Sequence, residues 1–128
     1  MATITKEYLI AVPPRILWDA LTDPQQIDGW GAGPNPVVDL VEGGAFSLWD
    51  GEVTGKVLDV EEESRLVCEW HMSGHETPTE VTITLEPDEE GTKMTVMQTG
   101  VPEEEVEEFD RGWDEFYAGP IKEFCEQS

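Results

Sequence analysis

Leu66-Val67-Cys68-Glu69-Trp70-His71-Met72 sets apolar side chains at every second position, with Val67, Glu69 and His71 between them. A period of two marks a strand with one face on a core and the other towards water. Val81, Ile83 and Leu85 repeat the pattern against Thr82, Thr84 and Glu86. Beyond the turn signal Glu90-Gly91, Met94 and Val96 continue it opposite Thr95 and Met97. Half-buried antiparallel strands read this way, and their apolar face needs a cover.

Towards the N-terminus the same period predicts strands over Val53 to Val60, Ala45 to Asp50 and Val37 to Val41. Glu42-Gly43-Gly44 is a turn of the kind that needs positive φ, and Asp50-Gly51 is the next connection. A first strand, Ile4 to Val12, is rich in β-formers and is stopped by Pro13-Pro14, which suits the first turn of a helix. Leu17, Ala20 and Leu21 then fall at helical spacing, with Ile16 and Trp18 widening the apolar face. Asp23 caps a second short helix, Pro24 takes its first position, and Gln26 completes a capping box. That helix ends near Gly29-Trp30-Gly31.

Towards the C-terminus the period changes to that of a helix. Pro102 with Glu103, Glu104 and Glu105 puts acid at the positive end of a helix dipole. Val106, Phe109, Trp113, Phe116 and Tyr117 recur every three or four residues, and Phe124 extends the stripe. Gly119-Pro120 interrupts it, which predicts a kink or break near Ala118. The expectation is an α+β chain with one domain over residues 1–128. A curved antiparallel sheet of about six or seven strands wraps round a long C-terminal helix, and two short helices after the first strand close one end. Space between sheet and helix is the candidate site.

Composition narrows the partners. Twenty-nine acidic residues against seven basic ones give a net charge of −22. Such a surface repels phosphate backbones and anionic headgroups, which argues against nucleic acid and membrane surfaces. Dispersed acid of this kind fits a protein kept soluble in concentrated salt, so a halophilic source is expected. No run approaches the ~20 apolar residues that span a bilayer. The N-terminal residues lack the basic start and apolar stretch of a signal peptide, and the expected location is the cytoplasm. There Cys68 and Cys125 are expected to be reduced thiols.

The pieces taken together resemble a known family. Val12 to Pro24, Trp30, Gly43-Gly44-Ala45-Phe46, Gly55 to Val60, Leu66 to Trp70, Gly91 to Val96 and Gly112-Trp113 stand in its order. The chain resembles the family of activator of 90-kDa heat-shock-protein ATPase homologues. This AHSA-type family lies within the START/SRPBCC helix-grip superfamily. The resemblance implies a START-like helix-grip fold. It also implies similarity to proteins that hold lipids, polyketide-like or other apolar molecules. A chaperone partner is the other expectation it raises, although the eukaryotic activators carry an additional N-terminal domain outside these residues.

Motifs for chemistry are sparse. His71 and His75 have the spacing of zinc ligands on a helix, but they lie on a strand running into a turn, where that spacing does not bring side chains together. No metal or cofactor is expected. No nucleophile elbow or phosphate loop occurs. The candidate cavity-lining residues are Trp30, Phe46, Trp70, Met94, Gln98, Trp113 and Tyr117. The aromatic ones can bury a ring and, for Trp and Tyr, offer a polar tip. Gln98 either bonds backbone at the strand end or offers a hydrogen bond to a ligand. The expected function is binding of an apolar small molecule. The alternatives are a cavity enzyme of cyclase, dehydratase or hydrolase type, and a chaperone-ATPase cofactor acting through its surface.

Overall fold

The first strand stops at Ile10 rather than at the expected Val12, whose N–H turns back to the Ile10 carbonyl, and Pro14 takes the first position of the first helix, where a missing N–H costs nothing. In the computed structural model, which describes residues 1–127, the strand β1 (Ala2–Ile10) leads into α1 (Pro14–Thr22) and α2 (Pro24–Trp30). Asp23 caps α2 by accepting from the Gln25 N–H, and Gly31 closes it with φ of 116°. The capping box is not completed. The Asp23 N–H already bonds the Asp19 carbonyl at the end of α1, so Gln26 has no donor to reach back to.

The strands β2 (Val37–Val38), β3 (Ala45–Leu48), β4 (Val53–Glu61), β5 (Arg65–Met72), β6 (Thr79–Asp88) and β7 (Gly91–Val101) follow. They form one seven-stranded sheet in the order β1-β7-β6-β5-β4-β3-β2, and every neighbouring pair is antiparallel. A register shift in β4 between Val57 and Asp59 supplies a bulge, which bends a strand and increases twist.

Two predicted strands are shorter than their patterns suggest. Val41 turns back to bond the Asp39 carbonyl, and Gly43 and Gly44 spend their N–H groups on Val57 and Val41, so pairing stops at Val38. The third strand stops at Leu48 rather than Asp50. Trp49 and Asp50 take φ of 51° and 52°, and Gly51 takes 91°, which together make a left-handed turn.

After a short tight turn over Glu103–Glu105 come α3 (Val106–Gly112), a π-helical segment (Trp113–Ala118) and α4 (Gly119–Gln127). Of the kink or break expected near Ala118, the break does not occur: the path stays helical from Val106 to Gln127. A proline cannot donate to the residue four back, and the widened segment accommodates this by shifting to bonds five residues apart. The Gly119 N–H accordingly reaches the Asp114 carbonyl. Gly119 is required by proximity, because a Cβ there would lie 2.4 Å from that oxygen.

The helical run covers the inner face of the sheet, as a helix-grip architecture requires. Ile10, Leu17, Ile27, Val53, Val57, Met94, Val96 and Ile121 have no exposed surface. Each such side chain contributes about 1.5–3 kcal/mol relative to leaving it in water. α1 and α2 fill one end of the grip, where both pack on α4.

Candidate functional site

Strand alternation turns Trp70 of β5 inward, and the helical run brings Trp113 and Tyr117 over it. The Trp70 ring centroid lies 5.0 Å from that of Trp113 and 5.8 Å from that of Tyr117. Trp113 and Tyr117 meet edge to face at 5.1 Å. Such aromatic pairs contribute about 0.5–1.5 kcal/mol beyond their buried area. Trp49 joins from the left-handed turn after β3, 6.2 Å from Trp70. A bulky residue at positive φ is strained, and here the strain aims an indole into the cluster.

On the side away from α1 and α2 the cluster faces open space. A cavity of about 460 Å³ lies between the helical run and the turns flanking β4 and β5. Its walls are Trp49, Glu52, Val53, Trp70, Met72, His75, Glu108, Phe109, Gly112, Trp113, Phe116 and Tyr117. Of the residues expected to line it, Trp70, Trp113 and Tyr117 do so. Trp30, Phe46, Met94 and Gln98 are buried behind the wall. Trp30 donates its indole N–H to the Ala20 carbonyl at 2.7 Å and packs on Tyr117 at 5.3 Å, while Phe46 packs on Trp70 at 5.5 Å. Their end of the grip is filled by the two short helices, which leaves the open volume under α3.

Gln98 takes a third role, outside both expectations. Its Oε1 accepts the Trp113 indole N–H at 2.9 Å, and its Nε2 donates to Thr79 Oγ1 at 2.9 Å. Thr79 in turn donates to the Trp70 carbonyl at 3.1 Å. Every member of the relay is buried, so the chain of bonds fixes the π segment to the sheet.

Several wall residues escape a sequence reading. Trp49 shows no signal beyond its neighbour Asp50-Gly51, which marks a turn. Phe116 belongs to the predicted stripe yet is 63% exposed, since the widened turn rotates it to the cavity mouth. His75 enters from the β5–β6 connection, beside Met72 at the end of β5.

The chemistry at the wall is limited and specific. Burial pushes the Cys68 thiol up to about 12, so it holds no thiolate for nucleophilic work. Burial likewise raises the Tyr117 phenol, with Cys68 adding to the effect, and it stays protonated. His75 Nδ1 lies 2.7 Å from Glu105 Oε1. That oxygen is buried and makes no hydrogen bond of regular geometry among the described residues. His71 Nε2 lies 2.8 Å from the His75 carbonyl and steadies the loop.

Outside the cavity, β1 clasps the helical run. Lys6 Nζ contacts Asp110 and Asp114, each at 3.1 Å, and the Tyr8 hydroxyl donates to Asp114 at 2.8 Å. The Tyr8 hydrogen bond, with Lys6 assisting against burial, holds the Asp114 carboxyl below its ordinary value. Among the described residues no helix is long and apolar enough to cross a membrane.

Residues 11–126 match the family described as activator of Hsp90 ATPase homolog 1-like protein. The chain belongs to that family. An uncharacterised protein of Schizosaccharomyces pombe is 32% identical over 94% of this chain and 36% of its own length. Human activator of 90 kDa heat shock protein ATPase homolog 1 is 27% identical over 94% of this chain and again 36% of its own length. The chain thus spans about a third of each of these relatives. The crystal structure of an Hsp90 activator from Plasmodium falciparum superposes with a TM-score of 0.81 at 25% identity, covering 98% of this chain and 95% of that one.

Proposed function

We propose that this chain binds an apolar small molecule in the cavity between its C-terminal helical run and the sheet. One observation carries the reading: an aromatic-walled space of about 460 Å³ lies between the helical run and the sheet. Its volume falls in the range of small-ligand sites, roughly 300–1,000 Å³. The reading includes a cytoplasmic location, which the two buried thiols support. Titration with a neutral apolar fluorophore such as phenylnaphthylamine is the test. Saturable binding with quenching of indole emission is expected, and absence of saturation with any neutral probe would sink the reading.

Family membership favours a second reading, a cofactor of a chaperone ATPase acting through the protein surface. Val37, Leu40 and Val41 are exposed apolar residues in one segment beside the sheet edge, and such segments suit protein contacts. A rise in ATP turnover by an Hsp90-type chaperone on adding this chain is the expected outcome. Turnover unchanged at saturating chain would dismiss it.

A further inference from the structure

The cavity wall carries charge of one sign, and that sign bears on the ligand. Six of its residues are aromatic, and among the lining residues none is lysine or arginine. Two carboxylates border it, Glu52 from the turn before β4 and Glu108 from α3. Both residues are exposed at the mouth, and neither side chain has a hydrogen bond or ion pair among the described residues. His75, the remaining polar wall residue of note, is engaged by Glu105.

Aromatic faces present negative charge, and a cation over them is attracted, more strongly as it is desolvated. An anionic ligand would meet the same faces and two like charges with nothing to compensate it. A fatty-acid-like carboxylate is therefore the wrong partner, and a wholly neutral molecule would leave the carboxylates unused.

We propose that the cavity selects an amphiphilic organic cation, with its apolar body among Trp49, Trp70 and Trp113 and its ammonium group at the mouth near Glu52 and Glu108. The proposal rests on the cavity being a ligand site and names the class of ligand it takes. An apolar body up to the size of a fused ring system fits the volume, and a substituted ammonium keeps hydration low enough to enter an aromatic mouth.

Indole quenching by three matched probes decides the matter: naphthylmethylammonium, naphthylmethanol and naphthoate. The titrations are run in molar potassium chloride, which shortens the reach of the diffuse −22 charge to about 3 Å and leaves the contacts at the wall. The ammonium should bind about tenfold tighter than the alcohol, and the naphthoate weaker than both. The exposed pair Glu52→Gln and Glu108→Gln, made together, should reduce the preference for ammonium over alcohol severalfold. A circular dichroism spectrum and melting temperature that match those of the parent chain show that the variant is folded. Equal binding of alcohol and ammonium would overturn the cation proposal and leave the cavity reading standing. A preference that survives the double substitution would overturn it too, by assigning the effect to the bulk charge. Failure of all three probes would remove both readings.

Discussion

The two halves of the C-terminal helical run are held in different ways. α4 buries Ile121 and Cys125 and packs on α1, α2 and β1. Lys122 donates to the Leu9 carbonyl at 2.7 Å, and Glu126 accepts the Ala11 N–H at 2.9 Å. α3 contains no buried residue. Its Val106 and Phe109 are half-buried against the core, and Lys6 of β1 clasps its Asp110, with Asp114 of the π segment held beside it. One half is an anchor and the other a cover, with the π segment as the joint. The cavity therefore lies where the helix is tethered by its edge and absent where it is seated by burial.

The joint is where the contrast is most easily broken. Trp113→Ala should cost about 3–5 kcal/mol in urea unfolding. Trp113→Phe keeps a ring and removes the N–H, which leaves the buried Gln98 carbonyl without its donor, and should cost about 1–3 kcal/mol. A Trp113→Ala cost below about 1 kcal/mol would place the joint outside the core and dissolve the distinction. Gly119→Ala comes next. Its new Cβ, 2.4 Å from the Asp114 carbonyl, must displace the widened turn, at about 1–3 kcal/mol. An alanine variant with unaltered stability and probe binding would show that the turn is not held by that close approach.

Charge sharpens the contrast further. Eight acidic residues lie between Glu103 and Glu115 against Arg111 alone, whereas α4 carries Glu123 and Glu126 with Lys122. We propose adaptation to concentrated salt. Raising potassium chloride from tenth-molar to molar shortens screening from about 10 Å to about 3 Å and should slow amide exchange in α3 more than in α4. Equal slowing in both, or a melting temperature that does not move, would count against it.

The smallest effect belongs to Asp114. Its carboxyl is held below the ordinary carboxylate value, so the clasp is fully stabilising above about pH 4 and is lost as pH falls through the lowered value. Asp114 is half exposed, and Asp114→Asn should cost only about 0.2–1 kcal/mol near neutrality. The difference from the parent chain should vanish in acid. A difference that persists there would point to packing rather than charge.

Much of this was legible beforehand wherever a local rule and the tertiary environment agree. The alternation in Leu66 to Met72 and Val81 to Leu85 gave the strands, and Asp23-Pro24 with Gly31 bracketed α2. The stripe through Trp113 met Trp70 across the grip. What was hidden depended on tertiary geometry. Straight α-helical spacing turns Phe116 inward, and a single i→i+5 turn rotates it out. Trp49 occupies a backbone region that its side chain disfavours, so no propensity announces it. Trp30, Phe46, Met94 and Gln98 carry the right chemistry for a cavity wall, but which end of the grip is filled depends on where α1 and α2 come to rest.

The relay from Trp113 through Gln98 and Thr79 to the Trp70 carbonyl has a further consequence, one of timing. The indole proton of Trp113 sits at its head, buried and hydrogen-bonded, so water reaches it only when the joint lifts from the sheet. The rate at which that single proton exchanges is then a clock for the cover. It runs whether or not anything occupies the space beneath, and it slows when an occupant holds the two halves together.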